Sequence, residues 1–469
     1  MKINILPIIL AIIVLSGCCS PSPKDQTTVE WISSSREAVW QTNEVIKTTD
    51  ANGSDTTLIT VFPQKTQQMI EGFGGCFNEL GWEALNVLSA PEKEKVIASL
   101  FDPVDGCRFN INRMPLGAND YAVDWYSHNE TKDDFEMANF SIQRDRQRLI
   151  PYIKEARKFN PDLKVWASPW CPPSWMKTNE HYACRPDIVN DLTEEGAGEE
   201  MKTQFRMEDK YLAAYALYFS KFLSAYRDEG IEIEAVHVQN EPNSCQNFPS
   251  CIWTPSALAT FIGQYLGPQF EQDEQSAEIW LGTIERPHIE RIDTVLNDPE
   301  AKKYIEGVGF QWAGKGAIPL VNVKYPDYRL MQTETVCGNG SNDWEAAENT
   351  FELMRHYLSN GTNSYMYWNM VLDESGKSHW GWKQNSMITI DTGTKEVRYN
   401  PEFYLMKHFS AFIDPGATRI ESSDKNTLAF KDEGTIVIIC YNSDRKKIKR
   451  FRVDDTYFEV ELAERSFNT

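Results

Sequence analysis

Between residues 66 and 400, short apolar runs rich in β-branched residues alternate with longer stretches that have the apolar period of a helix. This alternation predicts a parallel sheet whose strands are joined by covering helices. Eight such units match the size of a (β/α)8 TIM barrel with long loops, which is the predicted fold class of this segment. The predicted strands cover 69–76, 108–115, 163–169, 233–239, 278–284, 304–312, 329–334 and 364–371.

The helical patterns between these strands carry start and stop signals. Ser141 is placed to cap one helix, Thr254-Pro255 puts a proline in a first turn, and Asn360-Gly361 is a stop signal. The predicted helices cover 91–101, 141–158, 208–228, 255–266 and 344–359.

A second pattern, in which polar residues alternate with β-branched or aromatic ones, flanks the barrel segment on both sides and is typical of half-buried strands. It occupies much of 28–65 and returns from about Pro401 onward, at 427–430, 435–441, 447–453 and 457–462. Because a small antiparallel domain cannot easily close with so few strands, we expect the N-terminal strands to join the C-terminal ones. The predicted organisation is a barrel over 66–400 with an appended antiparallel β-sandwich domain built from 28–65 and 401–469.

The first residues have the pattern of a secretory leader. Lys2 precedes an apolar run over 5–15 that is too short to span a bilayer, and Leu-Ser-Gly-Cys at 15–18 resembles the bacterial lipobox, whose cysteine, here Cys18, is lipidated. We therefore expect a signal peptide over 1–17, a tether over 18–27, and a bacterial cell-envelope lipoprotein that meets the membrane only through its N-terminal lipid anchor. The alternative is an ordinary signal peptide with a chance cysteine.

Charge narrows the class of partner. The chain has 47 basic and 68 acidic residues and a net charge of -21, which argues against binding to nucleic acid and would repel polyanions. A neutral substrate fits this charge better.

The ten cysteines do not suggest a small disulfide scaffold in a chain of this length. Cys245 and Cys251 could pair in an oxidising compartment, as could Cys171 and Cys184, and free thiols are an equal alternative. No paired CxxC motifs and no HExxH motif are present, so the sequence predicts neither a metal site nor a cofactor.

Two predicted strands end in a glutamate, and these are the candidate catalytic residues. The run at 236–243 passes from an apolar strand into an Asn-Glu-Pro turn with Glu241, and the run at 329–335 ends in a polar turn with Glu334. The carboxyl ends of barrel strands carry the chemistry of this fold, and hydrolysis of a glycosidic bond needs two carboxyl groups beside it. The alternative is that two of many glutamates end strands by chance.

Several longer motifs resemble glycoside hydrolase family 30, the family that includes lysosomal glucosylceramidase and microbial β-1,6-glucanases. They are Gly-Phe-Gly-Gly at 72–75, Arg-Met-Pro-Leu-Gly-Ala-Asn-Asp at 113–120, the long run Ala-Ser-Pro-Trp-Cys-Pro-Pro-Ser-Trp-Met-Lys-Thr-Asn at 167–179, Asn-Glu-Pro at 240–242, Gln-Thr-Glu-Thr at 332–335 and Trp-Asn at 368–369. The resemblance extends to the C-terminal β-sandwich and covers nearly the whole mature chain.

The resemblance implies a role for each matching residue. Glu241 would be the acid/base and Glu334 the nucleophile, which Arg113 would support. The sugar would be bound by a set of substrate-binding residues at the ends of several strands: Asp120, Trp170, Asn240, Trp312 and Trp368.

One motif departs from the family. Where the glucosylceramidases carry His-Trp-Tyr after the sixth strand, this chain reads Gln-Trp-Ala at 311–313, which leaves the leaving-group side and the natural substrate open. Trp175, Trp312, Trp380 and Trp382 could each be a sugar platform or simple packing. His237 precedes Glu241 on the same strand and is predicted to be a core histidine.

The sequence therefore predicts a retaining hydrolase of β-glucosidic bonds, with an endo-β-1,6-glucanase acting on extracellular glucan as the first choice. A glucosylceramidase-like enzyme or another exo-β-glycosidase is the alternative within this class. A surface glycan-binding lipoprotein without catalysis is the alternative from another class, and the presence of both glutamates argues against it.

Overall fold

The computed structural model describes residues 29–48, 58–335 and 337–469. Its centre is a closed barrel of eight strands that follow one another in chain order, so the predicted TIM barrel is confirmed. The signal peptide, the tether and Cys18 lie outside the described residues. The barrel strands are Gly72–Cys76, Ile111–Pro115, Lys164–Ser168, Ala235–His237, Glu278–Ile284, Ile305–Gln311, Arg329–Glu334 and Ser364–Asn369, each within a predicted strand.

The interior of the barrel is a packed core. His237 is fully buried, and its ring lies 4.2 Å from the ring of Trp166 and 5.1 Å from that of Trp280, as expected for a core histidine. Gly309 is needed beside it, because a Cβ at that position would lie 2.5 Å from the His237 Nδ1. The large side chains of this core layer are Ile111, Trp166, Trp280, Met331 and Met366.

The covering helices include one whose predicted start is wrong. Ser141 does not cap a helix, because the helix predicted to follow it begins at Leu149. Asp145 is buried before that helix and accepts hydrogen bonds from the hydroxyls of Tyr126 and Tyr226, and these tertiary contacts override the local periodicity. No helix within the described ranges is both long and apolar enough to cross a membrane. The α-helices are Glu79–Asn86, Ala90–Phe101, Leu149–Arg157, Asp209–Asp228, Pro255–Phe261, Gly267–Gln272, Ile289–Leu296, Ile318–Lys324, Trp344–Ser359 and Pro401–Ser410, and a π-helical segment, Ile262–Leu266, joins the fifth to the sixth.

The segment after residue 400 starts differently from the prediction. Short strands were expected from Pro401 onward, but Pro401–Ser410 is a helix with proline in its first turn. Its Phe409 packs against Phe73 of the first barrel strand and Phe351 of a covering helix, with ring centroids 6.0 and 6.3 Å apart. Phe409 thus seats this helix against the barrel, while the domain division at residue 400 stays a prediction.

The remaining strands form a ten-stranded, mainly antiparallel sheet in which N-terminal and C-terminal strands join, as the sequence predicts. Leu58–Met69 lies in its middle, antiparallel to Thr418–Ser422 and parallel to Lys447–Val453. Side chains from strands far apart in the sheet order, such as Trp31 and Phe458, share one small core, so the sheet is sandwich-like. Its strands are Trp31–Ser34, Gln41–Asn43, Ile46–Thr48, Leu58–Met69, Thr418–Ser422, Thr427–Asp432, Thr435–Asn442, Lys447–Val453, Thr456–Leu462 and Ser466–Asn468, and a separate three-stranded sheet is formed by Val371–Asp373, Ile388–Ile390 and Val397–Tyr399.

Candidate active site

A cleft of about 390 Å³ opens at the carboxyl ends of the barrel strands. Glu241 and Glu334, which are far apart in the sequence, both line it because the fourth and seventh strands deliver them to the same end of the closed barrel. Both side chains are almost fully buried. The place is the one where this fold normally carries its chemistry.

Glu334 is held by two donors at the end of the seventh strand. Its Oε2 accepts a hydrogen bond from Nη1 of Arg113 at 2.9 Å, and its Oε1 accepts one from the indole Nε1 of Trp312 at 3.1 Å. Both oxygens are therefore oriented, and the contact with Arg113 is a charge-assisted hydrogen bond.

Arg113, on the second strand, is the centre of a buried network that reaches the ends of the third, fourth, sixth and seventh strands. It is fully buried, its Nη2 donates to Oδ1 of Asn240 at 2.7 Å and to Oγ of Ser168 at 2.9 Å, and its guanidinium lies 4.3 Å from the ring centroid of Trp170. The planar fork of arginine allows one side chain to hold Glu334 and Asn240 at the same time. Arg113 thus positions the second and fourth strands relative to the seventh.

Glu241 has different surroundings. Its Oε2 accepts from Nε2 of Gln246 at 2.8 Å and its Oε1 from Nε2 of Gln311 at 3.1 Å, so both partners are neutral amides. The backbone φ of Glu241 is +47°, in the left-handed region that costs a non-glycine residue roughly 1–2 kcal/mol. The strained turn directs the carboxyl into the cleft, and the surrounding contacts offset its cost.

Gln311 is a site residue to which the sequence analysis assigned no role. Its Nε2 donates to Glu241 and also to Oδ1 of Asn240 at 3.2 Å, while its Oε1 accepts from Oγ1 of Thr333 at 3.1 Å and from Arg113 at 3.4 Å. The amide therefore links the surroundings of the two glutamates. The departure of the sixth-strand motif was the one signal in the sequence that pointed to this position.

Three of the carboxyls that line the cleft, those of Asp120, Glu241 and Glu334, lie close enough to affect one another's pKa. Burial raises the pKa of Glu241 and the pKa of Glu334, and the charge of Arg113 acts against the rise at Glu334. Burial, reinforced by the charge of Glu334, raises the pKa of Asp120 well above its usual range. The three groups cannot all be ionised without strong repulsion, so a shared proton is expected in this site.

Most of the other predicted substrate-binding residues also meet here. Asp120, Trp170, Asn240 and Trp312 line the same cleft as the glutamates. Trp368 lies just behind it, fully buried, with its ring centroid 5.4 Å from that of Trp170. Among the described residues, Oδ1 of Asp120 and Nε1 of Trp368 have no hydrogen-bond partner.

Glu285 is a second residue that the sequence analysis missed. It follows the fifth strand, is buried, lines the cleft, and accepts hydrogen bonds from the backbone N–H of Asn243 at 2.9 Å and the hydroxyl of Ser244 at 2.8 Å. Burial, with the charge of Glu241, raises its pKa to about 7. No sequence pattern separates this glutamate from others, because its role depends on contacts with the turn after Glu241.

The structure decides between two alternatives that the sequence left open: whether certain tryptophans pack or face the cleft, and whether the cysteines are paired or free. Trp175 and Trp380 are buried outside the cleft, so they pack, whereas Trp382 lines the cleft and is 40% exposed. All eight cysteines within the described ranges are free thiols, including the two candidate pairs. In the same ranges, no group of three or more His, Cys, Asp or Glu side chains could hold a metal ion.

The structure is a TIM barrel with two buried glutamates in the cleft at the carboxyl ends of its strands, and one of these glutamates is paired with a buried arginine. These are the features of a glycoside hydrolase. The model of the glycosyl hydrolase family 30 TIM-barrel domain matches residues 70–413, and the chain belongs to that family. The resemblance seen in the motifs is thereby confirmed, as is the prediction that the protein is an enzyme of this class.

Relatives of known name include enzymes of two kinds. The lysosomal acid glucosylceramidase of Mus musculus is 29% identical over 421 residues, which cover 83% of this chain and 78% of the relative. The endo-1,6-beta-D-glucanase neg1 of Aspergillus fumigatus is 26% identical over 374 residues, or 77% of this chain and 74% of the relative. The crystal structure of SrfJ from Salmonella typhimurium matches with a TM-score of 0.81 at 25% identity, covering 94% of this chain and 98% of that one.

Proposed function

We propose that this protein hydrolyses β-glucosidic bonds with retention of configuration, with Glu334 as the nucleophile and Glu241 as the acid/base. The observation that carries the assignment is the difference between their partners. Glu334 is paired with the buried Arg113, whereas Glu241 is held by two neutral amides. Protonating Glu334 would remove the carboxylate with which Arg113 is paired, so the proton belongs on Glu241.

The reaction follows from these protonation states. The ionised Glu334 attacks the anomeric carbon while Glu241 gives its proton to the departing glycosidic oxygen, and a covalent glycosyl-enzyme forms. Glu241, now ionised, takes a proton from water, and the resulting attack on the anomeric carbon releases Glu334. The two inversions give net retention.

The sugar that is attacked would lie among Asp120, Asn240 and Trp170. Asp120 offers a buried oxygen that has no partner among the described residues, and a sugar hydroxyl could donate to it. An indole face is suited to the C–H groups of a pyranose ring. These residues support a binding pocket for one glucose unit next to the two glutamates.

We propose β-1,6-glucan as the substrate and cleavage within the chain as the mode of action. The relative from Aspergillus fumigatus is named as an endo-1,6-beta-D-glucanase, and Ala313 lines the cleft where the glucosylceramidases carry tyrosine. A neutral glucan also suits a chain with a net charge of -21. The second candidate is glucosylceramide hydrolysis, which the named activity of the Mus musculus relative favours.

The test is a substrate screen with purified protein. We expect turnover of β-1,6-glucan with products of mixed length in the first minutes, and little action on β-1,3-glucan, β-1,4-glucan, xylan or glucosylceramide. Nuclear magnetic resonance of the first products should show the β anomer. Release of glucose alone would favour an exo-enzyme, turnover of the lipid a glucosylceramidase, and binding without any turnover a glycan-binding protein.

We also propose that the enzyme is held outside a bacterial cytoplasm by a lipid on Cys18. The support is the lipobox-like run at 15–18 behind a short apolar segment. An extracellular position suits an enzyme that acts on a polymer too large to enter a cell.

A further inference from the structure

The side chain of Trp382 is exposed to solvent inside the cleft, and no contact among the described residues requires that exposure. It is 40% exposed and lines the cleft, whereas Trp170 in the same cleft is 1% exposed. Leaving an indole in water forgoes hydrophobic stabilisation. An exposed aromatic residue inside a catalytic cleft is therefore a candidate contact for a ligand.

The backbone around Trp382 is held in place. The backbone N–H of Trp382 donates to Oγ of Ser378 at 3.0 Å, and its carbonyl accepts from the N–H of Ser378 at 2.6 Å. Gly376 closes this hairpin with a φ of +60°, and a Cβ there would lie 2.6 Å from the carbonyl oxygen of Gln384. Gln384 in turn accepts from Asn369 at the end of the eighth barrel strand at 2.9 Å. The ring is thus carried by a loop that is fixed to the barrel.

The position of Trp382 is on the same side of the cleft as Glu241. Its ring centroid is 6.4 Å from that of Phe248, which also lines the cleft. Phe248 belongs to the loop whose Gln246 donates to the carboxyl of Glu241 at 2.8 Å. Since the acid/base protonates the departing oxygen, this is the side on which the leaving group lies.

We propose that Trp382 is the platform of a leaving-group subsite and that the occupant of this subsite is a sugar ring. The inference rests on the function proposed above and adds the residue that would hold the departing sugar. The indole, with Phe248 beside it, offers a flat apolar face for the C–H groups of a pyranose.

The polar neighbours favour a sugar over a lipid chain. Arg185 and Arg286 line the same cleft, and Arg185 has no ion-pair partner within the described ranges. The backbone N–H groups of Cys184 and Arg185 both donate to the carbonyl of Gln246 at 2.9 Å, so Arg185 stands on a loop that is joined to the Glu241 loop. Guanidinium groups can donate to sugar hydroxyls, but an acyl chain packed here would desolvate the unpaired guanidinium of Arg185 without giving it a partner.

The experiment compares two substrates that differ only in the leaving group. β-Glucosyl fluoride releases a fluoride ion, which makes no contact with a platform, whereas a β-1,6-linked glucose oligosaccharide releases a sugar. We expect Trp382→Ala to lower kcat/KM for the oligosaccharide by about tenfold to a hundredfold, the range for loss of one ring-stacking contact, and to leave the fluoride within about twofold. Trp382→Phe should restore most of the loss, and Leu320→Ala, an exposed position outside the cleft, should change neither substrate.

Each other outcome has a distinct meaning. An equal loss on both substrates, or no loss on the oligosaccharide, would overturn the platform. If Trp382→Ala lowers turnover of glucosylceramide in detergent micelles and spares the oligosaccharide, the subsite takes a lipid and the sugar assignment is wrong. Failure of the unsubstituted enzyme on β-glucosyl fluoride would instead contradict the proposed function itself.

Discussion

The side-chain amide of Gln311 donates a hydrogen bond to Oε1 of Glu241 over 3.1 Å. The oxygen of the same amide accepts from Arg113, which holds Glu334. One neutral side chain therefore contacts the proposed acid/base directly and the proposed nucleophile through a single residue. Because an amide does not titrate, it orients both groups at any pH without adding a charge.

Gln311→Leu should move the alkaline limb of the pH profile of kcat/KM to higher pH. The N–H of Gln311 stabilises the ionised form of Glu241 and so lowers its pKa; removing the donor raises the pKa, and Glu241 keeps its proton to a higher pH. The expected shift is about one pH unit, from a net hydrogen bond of roughly 1.5 kcal/mol to a charged group. Gln246→Leu removes the other amide donor and should shift the limb in the same direction. An unchanged limb in both variants would show that Glu241 is not the group that titrates there.

Arg113→Gln should move the acidic limb of the same profile to higher pH. The charge of Arg113 lowers the pKa of Glu334, so without it the nucleophile becomes protonated at a higher pH and activity is lost earlier as the pH falls. Removing the charged donor that orients Glu334 should lower kcat by about a hundredfold or more, the size of effect expected when one preorganised donor is lost from an active site. Breaking this buried pair should also lower the free energy of unfolding by about 3–5 kcal/mol. Arg113→Lys keeps the positive charge but loses the planar fork of the guanidinium. The acidic limb of this variant should stay near its original pH, while kcat should still fall. The pH profiles are measured well below the melting temperature of each variant, and an unchanged acidic limb would show that Glu334 is not the group that titrates there.

Glu241→Ala and Glu334→Ala should separate the two catalytic roles. Glu241→Ala should nearly abolish cleavage of glucan, whose leaving group needs a proton, but should spare the first step with an activated aryl glucoside. Glu334→Ala should stop both substrates, with a loss of several powers of ten in rate, or roughly 5 kcal/mol or more of barrier. Azide should yield a β-glucosyl azide with Glu241→Ala and an α-glucosyl azide with Glu334→Ala. The same anomer from both variants would mean that the roles are wrongly assigned.

Glu402→Gln should stabilise the fold above neutral pH. Glu402 is buried at the start of the helix Pro401–Ser410, accepts from Nδ2 of Asn385 at 2.7 Å, and has its pKa raised by burial to about 7. A carboxyl whose folded pKa is raised stabilises the fold below its unfolded pKa, and that stability is lost as pH rises toward 7. At pH 8 the glutamine variant should therefore unfold with a free energy up to about 3 kcal/mol higher than that of the parent, and its melting temperature should be higher. At pH 4 the two proteins should differ little. Glu464→Gln, at an exposed position, should show no such difference.

Cys18→Ala should release the protein from membranes. The motivation is the lipobox-like sequence that ends at Cys18, and the neighbouring Cys19→Ala is the matched control that should stay membrane-bound. Membrane fractionation after a salt wash, with mass spectrometry of the N-terminal peptide, measures the result. Retention of the Cys18→Ala protein in the washed membranes would place the anchor elsewhere.

Local sequence patterns determined the elements of this protein. All eight barrel strands lie within their predicted ranges, because a strand buried on both faces needs a short, continuous apolar run that the chain itself records. The ends of the fourth and seventh strands identified Glu241 and Glu334 for the same reason, since a polar turn marks where each buried run stops. The family motifs added Arg113 and the proposed sugar-binding residues.

Tertiary structure decided the contacts between residues that are distant in the sequence. Asp145 meets two tyrosine hydroxyls just before the helix that begins at Leu149, and Phe409 of the helix Pro401–Ser410 packs against the barrel. The contacts of Gln311 and Glu285 likewise exist only once neighbouring strand ends are brought together. Periodicity reports how deeply each residue is buried, but hydrogen-bond partners, raised pKa values and the exposure of Trp382 depend on which loops the closed barrel places side by side.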